Sequence, residues 1–268
     1  MPGPDSRSTH RGLVAPTPAA AHGKAASADL RTDATAPPPP DTARPMHDDL
    51  RVPGWTQRGI PHGFAAPGRD VAPGHHLVRV RQVHGATCLP ADESTPSPAG
   101  DADALVTSRP SVAVAIATAD CVPILLAAPE AGAVAAVHAG WRGTVASIAA
   151  VGVRALVERG ARTEQVRAAL GPSIDGCCYE IEREIAERFA NDLGSGVWSA
   201  WRDGERPDKG YLDLRRVNAL VLAEAGVPEE SIARVGPCTH CGGGAFASFR
   251  REGAAAGRQL SWIATPRA

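Results

Sequence analysis

Two histidines and one cysteine directly follow apolar segments, where their side chains could bind a metal ion. His84 follows LVRVRQV, Cys121 follows VAVAIATAD, and His138 follows AVAAV. Imidazole nitrogen and thiolate sulfur are ligands that Zn²⁺ prefers, and three protein ligands with an open fourth position are typical of catalytic zinc. These residues lie too far apart in the sequence for a small zinc finger, so the pattern predicts a site that the fold assembles. The alternative is that they are structural histidines and a buried, unreactive cysteine.

The segment HAGWRGT at residues 138–144 could bind an anion, because it leads from a predicted strand into a predicted helix. Gly140 and Gly143 allow backbone N–H groups to approach a ligand, and Arg142 adds further donors. A helix N-terminus beside an arginine attracts phosphate. The alternative is an ordinary tight turn in which Arg142 is solvated or paired with a carboxylate.

Short apolar strands would position these groups. Apolar runs and alternation predict strands at residues 77–83, 102–106, 112–118, 122–127, 133–138, 166–170, 232–235, 245–249 and 259–264. Helical spacing predicts helices at residues 144–159, 181–193 and 214–225, the first capped by Thr144 and ending at Gly160. Strands and helices are mixed without regular alternation, so we expect an α+β domain with mixed β-sheets.

Composition and charge exclude several classes of protein. The 268 residues include 28 Lys and Arg against 29 Asp and Glu, a net charge of −1, so we expect no nucleic-acid or membrane partner. The most apolar region, residues 112–137, is interrupted by charged residues and prolines, which argues against a membrane span. Six cysteines without a disulfide framework spacing, and no secretory signal, predict reduced thiols and a cytoplasmic protein.

The first 47 residues differ in composition from the rest. They are rich in Pro, Ala, Ser, Thr and Asp and contain no aromatic residue. Such a segment buries too little apolar surface to offset its ordering entropy, which predicts a disordered tail at residues 1–47 and one domain at residues 48–268. Translation that begins at Met46 is the alternative interpretation.

Two further cysteine pairs are not expected to form a separate metal site. Cys238 and Cys241 form a CxxC motif, but the sequence contains no second CxxC. Cys177 and Cys178 are adjacent, and we do not expect neighbouring cysteines to bind one ion together.

Several motifs together identify a family. They are QVHG at 82–85, DADALVT at 101–107, TADCVPILL at 118–126, AVHAGWRGT at 136–144, LGPSI at 170–174, CCYEI at 177–181, YLDL at 211–214, Cys238 with Thr239, SFRREG at 248–253 and GRQLSWI at 257–263. With these motifs in this order, the chain resembles the YfiH family from about residue 48 to residue 265. Members are labelled laccase-domain or polyphenol oxidase proteins, purine nucleoside phosphorylases and peptidoglycan editing factors.

The resemblance implies a fold, a metal and a reaction. It implies a three-layer, single-domain α+β fold with mixed β-sheets, and one Zn²⁺ at the positions that match His84, Cys121 and His138. It implies phosphorolysis of adenosine, inosine and S-methyl-5′-thioadenosine, with deamination of adenosine, so the expected partners are purine nucleosides and phosphate. Copper is the less expected metal, because nine histidines cannot supply several copper sites.

The remaining candidate residues follow from the needs of a nucleoside enzyme. Asp120 is a candidate general acid or base beside Cys121 and His138, and Glu180 is a second candidate in the substrate site. Arg142 and Arg250 could hold phosphate, and Tyr179 could stack on the base. The alternatives are a helix-terminal carboxylate for Glu180, a surface position for Arg250 and a core position for Tyr179.

Other functions are compatible with the same residues. A cysteine hydrolase acting on peptidoglycan precursors would use Cys121 as nucleophile and His138 as base. Copper-dependent phenol oxidation and a zinc-stabilised binding domain are further alternatives. One departure from the family pattern concerns HGFAAPGRD at residues 62–70, where the family's arginine is lost or displaced to Arg69 and a connecting helix is missing.

Overall fold

The computed structural model describes residues 49–69 and 71–266. The predicted tail lies outside the described residues, and the domain boundary stays a prediction. The described strands are β1 (His62–Ala65), β2 (His76–Val78), β3 (Cys88–Pro90), β4 (Ala104–Thr107), β5 (Val112–Thr118), β6 (Val122–Ala128), β7 (Ala133–Ala139), β8 (Arg167–Leu170), β9 (Glu180–Glu182), β10 (Trp201–Asp203), β11 (Lys209–Leu212), β12 (Ile232–Arg234) and β13 (Gln259–Ala264). The described α-helices are α1 (Trp141–Val145), α2 (Ile148–Val157), α3 (Arg183–Leu193), α4 (Leu214–Glu224) and α5 (Phe249–Glu252).

The described residues form three sheets, of which two are mixed. The largest has six strands in the order β12-β8-β6-β7-β4-β3, antiparallel in the centre and parallel at both edges. The second has the order β1-β13-β5-β2, with β2 parallel to β5. A small antiparallel sheet, β10-β11-β9, lies in the segment that precedes α4. The expected α+β fold with mixed sheets is confirmed.

The six-stranded sheet is the middle of three layers. Along β6, Ile124 and Leu126 pack into the core shared with α2, α3 and α4, whereas Leu125 and Ala127 pack into the core shared with the four-stranded sheet. Successive side chains of a strand point to opposite faces. Because both faces are covered, β6 is buried along its whole length, which explains why its sequence is apolar without alternation.

Three predicted elements differ from the structure. The strand predicted at 77–83 is limited to β2, which ends at Val78, so His84 follows irregular backbone. The helix predicted at 144–159 is divided into α1 and α2, because Ser147 between them adopts a left-handed conformation with φ of 56°. Thr144 lies inside α1 rather than at its cap, and its hydroxyl donates to the Gly140 carbonyl at 2.9 Å. The strand predicted at 245–249 is absent, because Ser248 instead caps α5 by accepting the Arg251 N–H at 3.2 Å.

The described residues between β1 and β2 form turns and bends and no helix, as expected from the departure at residues 62–70. None of the helices in the described part of the chain is long and apolar enough to cross a membrane.

Candidate functional site

The structure brings His84, Cys121 and His138 together at one edge of the sheet sandwich. In the pairing of β6 with β7, Pro123 lies opposite His138, so Cys121, which precedes β6, lies beside His138. His84 reaches the same place from a turn after β2, where its φ is 60°. The three potential ligand atoms lie within 4.8 Å of one another, and the two imidazole rings meet edge to face at 4.9 Å between centroids.

A buried carboxylate, Asp103, connects two of these three residues. Its Oδ1 accepts the His138 Nδ1–H at 2.8 Å and the His84 backbone N–H at 2.9 Å. Its Oδ2 accepts the backbone N–H groups of Gly85 at 2.6 Å and Val83 at 3.3 Å. Burial would raise the pKa of Asp103, but His138 and these N–H groups outweigh it and lower the pKa. The carboxylate therefore directs Nε2 of His138 toward Cys121 and fixes the turn that carries His84.

Gly140 leaves room for the three side chains to converge. A Cβ at this position would lie 3.1 Å from His84 Cδ2, 3.2 Å from Cys121 Sγ and 3.8 Å from His138 Cε1. Any residue can adopt its φ of −76°, so glycine is needed here for the space it leaves and not for its backbone conformation. The site is thus a cradle that a methyl group would partly fill.

The electrostatics favour a thiolate at Cys121. Burial alone would raise the pKa of this thiol, but contacts with His138 and His84 outweigh burial and lower the pKa to about 6. Burial likewise opposes the charged form of His138, but Asp103 and the Cys121 thiolate raise its pKa to about 9. A thiolate between two imidazoles is both a soft metal ligand and an activated nucleophile.

The three side chains open into a cavity of about 510 Å³. Its lining includes the polar groups Gln82, Asp120, Tyr179, Arg250 and Arg258, and the half-exposed ring of Phe249. This volume lies in the range of small-molecule sites, which span about 300–1,000 Å³. Burial is the largest cause that raises the pKa of Tyr179, to about 12, so its hydroxyl keeps its proton and remains a donor.

Asp120 joins loops from distant parts of the chain. Its Oδ1 accepts the Thr239 hydroxyl at 2.6 Å, and its Oδ2 accepts the Arg250 backbone N–H at 2.6 Å. Its φ of 88° marks a backbone conformation that L-residues rarely adopt. Asp120 therefore holds the start of α5, and with it Arg250, against the cavity.

Of the other predicted residues, Tyr179 and Arg250 line the cavity and lie together, with the guanidinium 5.4 Å from the ring centroid. Arg142 and Glu180 are not among the lining residues. The Arg142 guanidinium stacks on Trp141 at 4.3 Å, and the Glu180 carboxylate faces Lys209 at 3.9 Å. Their functional roles stay predictions.

Sequence reasoning missed Asp103, Gln82, Phe249 and Arg258 as parts of the site. Gln82 is held by a pair of hydrogen bonds with the Ala117 backbone, both at 2.8 Å. Each of the four lies in one of the family motifs: Asp103 in DADALVT, Gln82 in QVHG, Phe249 in SFRREG and Arg258 in GRQLSWI. Membership of these motifs was the available signal, but neither spacing nor residue type set them apart.

The donor set fits a metal ion. One thiolate and two imidazoles, with one imidazole fixed by a carboxylate, are suited to Zn²⁺ and to copper. The ligands present three donors, and the cavity is on their open side. This leaves space for a further ligand, as in catalytic rather than structural sites.

The fold and this site place the chain in a known family. The profile described as multi-copper polyphenol oxidoreductase laccase matches residues 68–266, and the chain belongs to this family. A purine nucleoside phosphorylase of Deinococcus radiodurans is 40% identical over 192 residues, which is 71% of each chain. Adenosine deaminase RL5, from an unknown prokaryotic organism, is 38% identical over 199 residues, 70% of this chain and 74% of that protein.

Solved structures agree with this assignment. The crystal structure of Bacillus licheniformis hypothetical protein YfiH has a TM-score of 0.72 and 25% identity, and the match covers 81% of this chain and 95% of that one. The structure of YlmD from Geobacillus stearothermophilus has a TM-score of 0.67 and 32% identity, with coverage of 73% and 75%. The resemblance to the YfiH family and its three-layer fold is therefore confirmed.

Proposed function

We propose that the chain is a zinc-dependent purine nucleoside phosphorylase that also deaminates adenosine. Its substrates would be phosphate with adenosine, inosine or S-methyl-5′-thioadenosine. The observation that carries the proposal is the convergence of His84, Cys121 and His138 on a cavity of nucleoside size that two arginines line. The names of the relatives above support the same activities. The proposal includes residues 48–268 as the catalytic domain and a cytoplasmic location.

The metal would be held by His84, Cys121 and His138. When bound, Zn²⁺ supplies a Lewis acid that can activate water or polarise an oxygen of the substrate. Asp103 holds His138 in the tautomer that keeps Nε2 available, and Gly140 keeps the centre of the site free of a side chain.

The rest of the cavity would bind the nucleoside and phosphate. Arg250 and Arg258 bring two positive charges to the lining, where a phosphate can be bound bidentately. Tyr179 and Phe249 offer aromatic surfaces to the purine, and the Tyr179 hydroxyl can donate a hydrogen bond to a ring nitrogen. Asp120 is proposed as the general acid or base. Its carboxylate already accepts hydrogen bonds from Thr239 and Arg250, and a substrate would compete with these two donors.

Product analysis tests the reaction. Adenosine should give adenine and ribose 1-phosphate only when phosphate is present, and should give inosine and ammonia without it. Arg250→Gln should raise the KM for phosphate at least tenfold and spare deamination. Arg162→Gln, in an exposed pair with Glu164, is the matched control. Equal loss of both activities in Arg250→Gln would contradict phosphate binding by this residue.

Arg142 is the second candidate for binding phosphate. It is exposed and its guanidinium stacks on Trp141, so replacing Arg142 can be compared with replacing Arg250 in the cavity. If α1 and Arg142 bind phosphate, Arg142→Ala should reduce phosphorolysis more than deamination. If Arg142→Ala leaves the KM for phosphate unchanged, the phosphate site is restricted to the cavity arginines.

A second candidate function follows from the chain of contacts between Asp103, His138 and Cys121. An activated thiolate, a histidine and an orienting carboxylate are also the parts of a cysteine hydrolase. In that case Cys121 would attack peptidoglycan precursors, and metal would inhibit by occupying the thiolate. Hydrolysis of such precursors by metal-free protein, with loss in Cys121→Ser, would favour this function over the first.

A further inference from the structure

Four cysteines form a second sulfur-rich group away from His84 and Cys121. The Sγ atoms of Cys177, Cys178, Cys238 and Cys241 lie within 4.8 Å of one another, and those of Cys177 and Cys241 are 3.6 Å apart. They belong to two loops, one after β8 and one after β12, which are joined where Ser173 pairs with Cys238. Within the described residues, this is the one group besides the His84 site that could hold a metal ion.

The CxxC loop forms a tight turn whose backbone N–H groups face the Cys238 sulfur. The Gly242 N–H donates to the Cys238 carbonyl at 2.8 Å, and a Cβ on Gly242 would lie 2.3 Å from that oxygen, so the turn requires glycine. The Asp175 N–H approaches Cys238 Sγ at 3.4 Å, and N–H groups of His240 and Cys241 also point to this sulfur. Backbone donors aimed at one sulfur stabilise its thiolate form.

The adjacent cysteines face the same way, contrary to the expectation from sequence. The Asp175 carbonyl accepts the N–H groups of both Cys178 and Tyr179 at 2.9 Å, so the backbone turns here instead of running extended. In an extended strand, neighbouring side chains would point to opposite sides. The turn lets Cys177 and Cys178 both approach Cys238 and Cys241.

The four sulfur atoms differ in how their surroundings affect ionisation: the thiolate form is disfavoured at Cys177 and Cys178 and favoured at Cys238. Burial, helped by the nearby sulfur atoms of Cys241 and Cys238, outweighs an opposing contact with Cys177 and raises the pKa of the Cys178 thiol to about 12. The pKa of Cys177 is raised as well, chiefly by burial. For Cys238, burial acts in the same direction, but the backbone donors outweigh it and lower the pKa. The convergence of the four Sγ atoms within 4.8 Å of one another is the observation that points to a shared metal ion.

We propose that Cys177, Cys178, Cys238 and Cys241 bind one Zn²⁺ in a closed, four-thiolate structural site. Four cysteine ligands complete the tetrahedral coordination that structural zinc adopts and leave no open position. On binding, each thiol releases its proton to solvent and each sulfur donates an electron pair to the ion. No oxidant or reductant is needed.

The proposed site would fasten the wall of the cavity. Tyr179 directly follows one cysteine pair and lines the cavity, and Thr239 lies inside the CxxC and donates to Asp120 at 2.6 Å. A metal that joins the two loops would therefore limit the movement of Tyr179 and Asp120. This role is independent of which reaction the His84 site performs.

Metal counting on the full chain tests the proposal. Protein purified and dialysed with Zn²⁺ should contain two zinc ions per chain, one for each group. Cys241→Ser should retain one, and Cys88→Ser, a matched change in a cysteine outside both groups, should retain two. His84→Ala should also retain one, which separates this site from the proposed catalytic metal. Two ions in Cys241→Ser, or none in His84→Ala, would overturn the proposal.

Alkylation of the wild-type protein provides a second test that requires no variant. Cys177 and Cys241 are exposed, so N-ethylmaleimide should reach both unless they bind metal, and it should modify Cys177 more slowly because its raised pKa leaves less thiolate. We expect peptide mapping to show Cys177 and Cys241 protected with Zn²⁺ present and modified after a strong chelator is added. Rapid modification of Cys177 and Cys241 in zinc-loaded protein would contradict the site. A native mass lower by two hydrogens, with no metal, would reveal a disulfide instead and would also overturn it.

Discussion

Replacing Asp103 by asparagine should weaken metal binding at the His84 site without removing any metal ligand. The two carboxylate oxygens accept four N–H groups, from His138, His84, Gly85 and Val83. Asparagine has one accepting oxygen and one NH₂ group, so either orientation turns a donor toward two of these donors. His138 would lose its orienting partner, or the turn that carries His84 would open.

The size of the effect follows from two contributions. Removal of a carboxylate that orients a metal-binding histidine lowers metal affinity by about 10–100-fold. That factor corresponds to about 1.4–2.8 kcal/mol of binding free energy. Asp103 is fully buried, so opposed donors should also cost the fold about 1–3 kcal/mol.

A chelator competition for Zn²⁺ at pH 7 measures this effect. It is best made in the Cys241→Ser background, so that one site is titrated. The matched control is Asp101→Asn, in the same motif, because Asp101 is exposed and its pair with the exposed Arg81 is screened by solvent. Equal zinc affinity in Asp103→Asn and Asp101→Asn would refute the orienting role of Asp103.

Three further predictions concern other contacts. Gly140→Ala should lower zinc affinity on the order of tenfold in the same competition, because its Cβ would enter the cradle between the three ligands. Thr239→Val should lower the unfolding free energy by about 1–3 kcal/mol in urea titrations, because the buried Asp120 loses a donor held at 2.6 Å. An unchanged midpoint would contradict this. His62 accepts the N–H of Val52 through Nε2, and its pKa is lowered from 6.5, chiefly by burial. As pH falls below 6.5, His62 therefore takes up a proton more readily in the unfolded chain than in the folded protein. Folding stability is lost, and the melting temperature should decrease below pH 6.5. His62→Gln should flatten this dependence, whereas the exposed control His76→Gln should keep it.

The strands that carry the site were predictable because they are covered on both faces. The predictions for 112–118 and 259–264 coincide with β5 and β13. Those for 122–127 and 133–138 start with β6 and β7 and end one residue before the last residue of each strand. Short edge strands such as β3 and β10 were missed. Their three residues carry too few apolar side chains to show a period.

The sequence pointed to His84, Cys121 and His138, which the structure brings together, but not to the groups that orient them. Asp103 acts through hydrogen bonds to β7 and to the turn at 83–85, which depend on how distant segments are brought together. Arg258 was not singled out, because it follows a run of Gly and Ala, and Phe249 fell at the end of a predicted strand but begins α5. The four-cysteine group was missed because adjacent cysteines converge only in a turned backbone.

Zinc content and purine release, measured on one preparation, test the central claim most directly. Treatment with a chelator should remove the ion at His84, Cys121 and His138 and abolish the phosphate-dependent release of adenine from adenosine. Readdition of Zn²⁺ should restore both, and His84→Ala should lose one zinc ion and all turnover. Full adenine release by protein with no metal at this site would contradict the account.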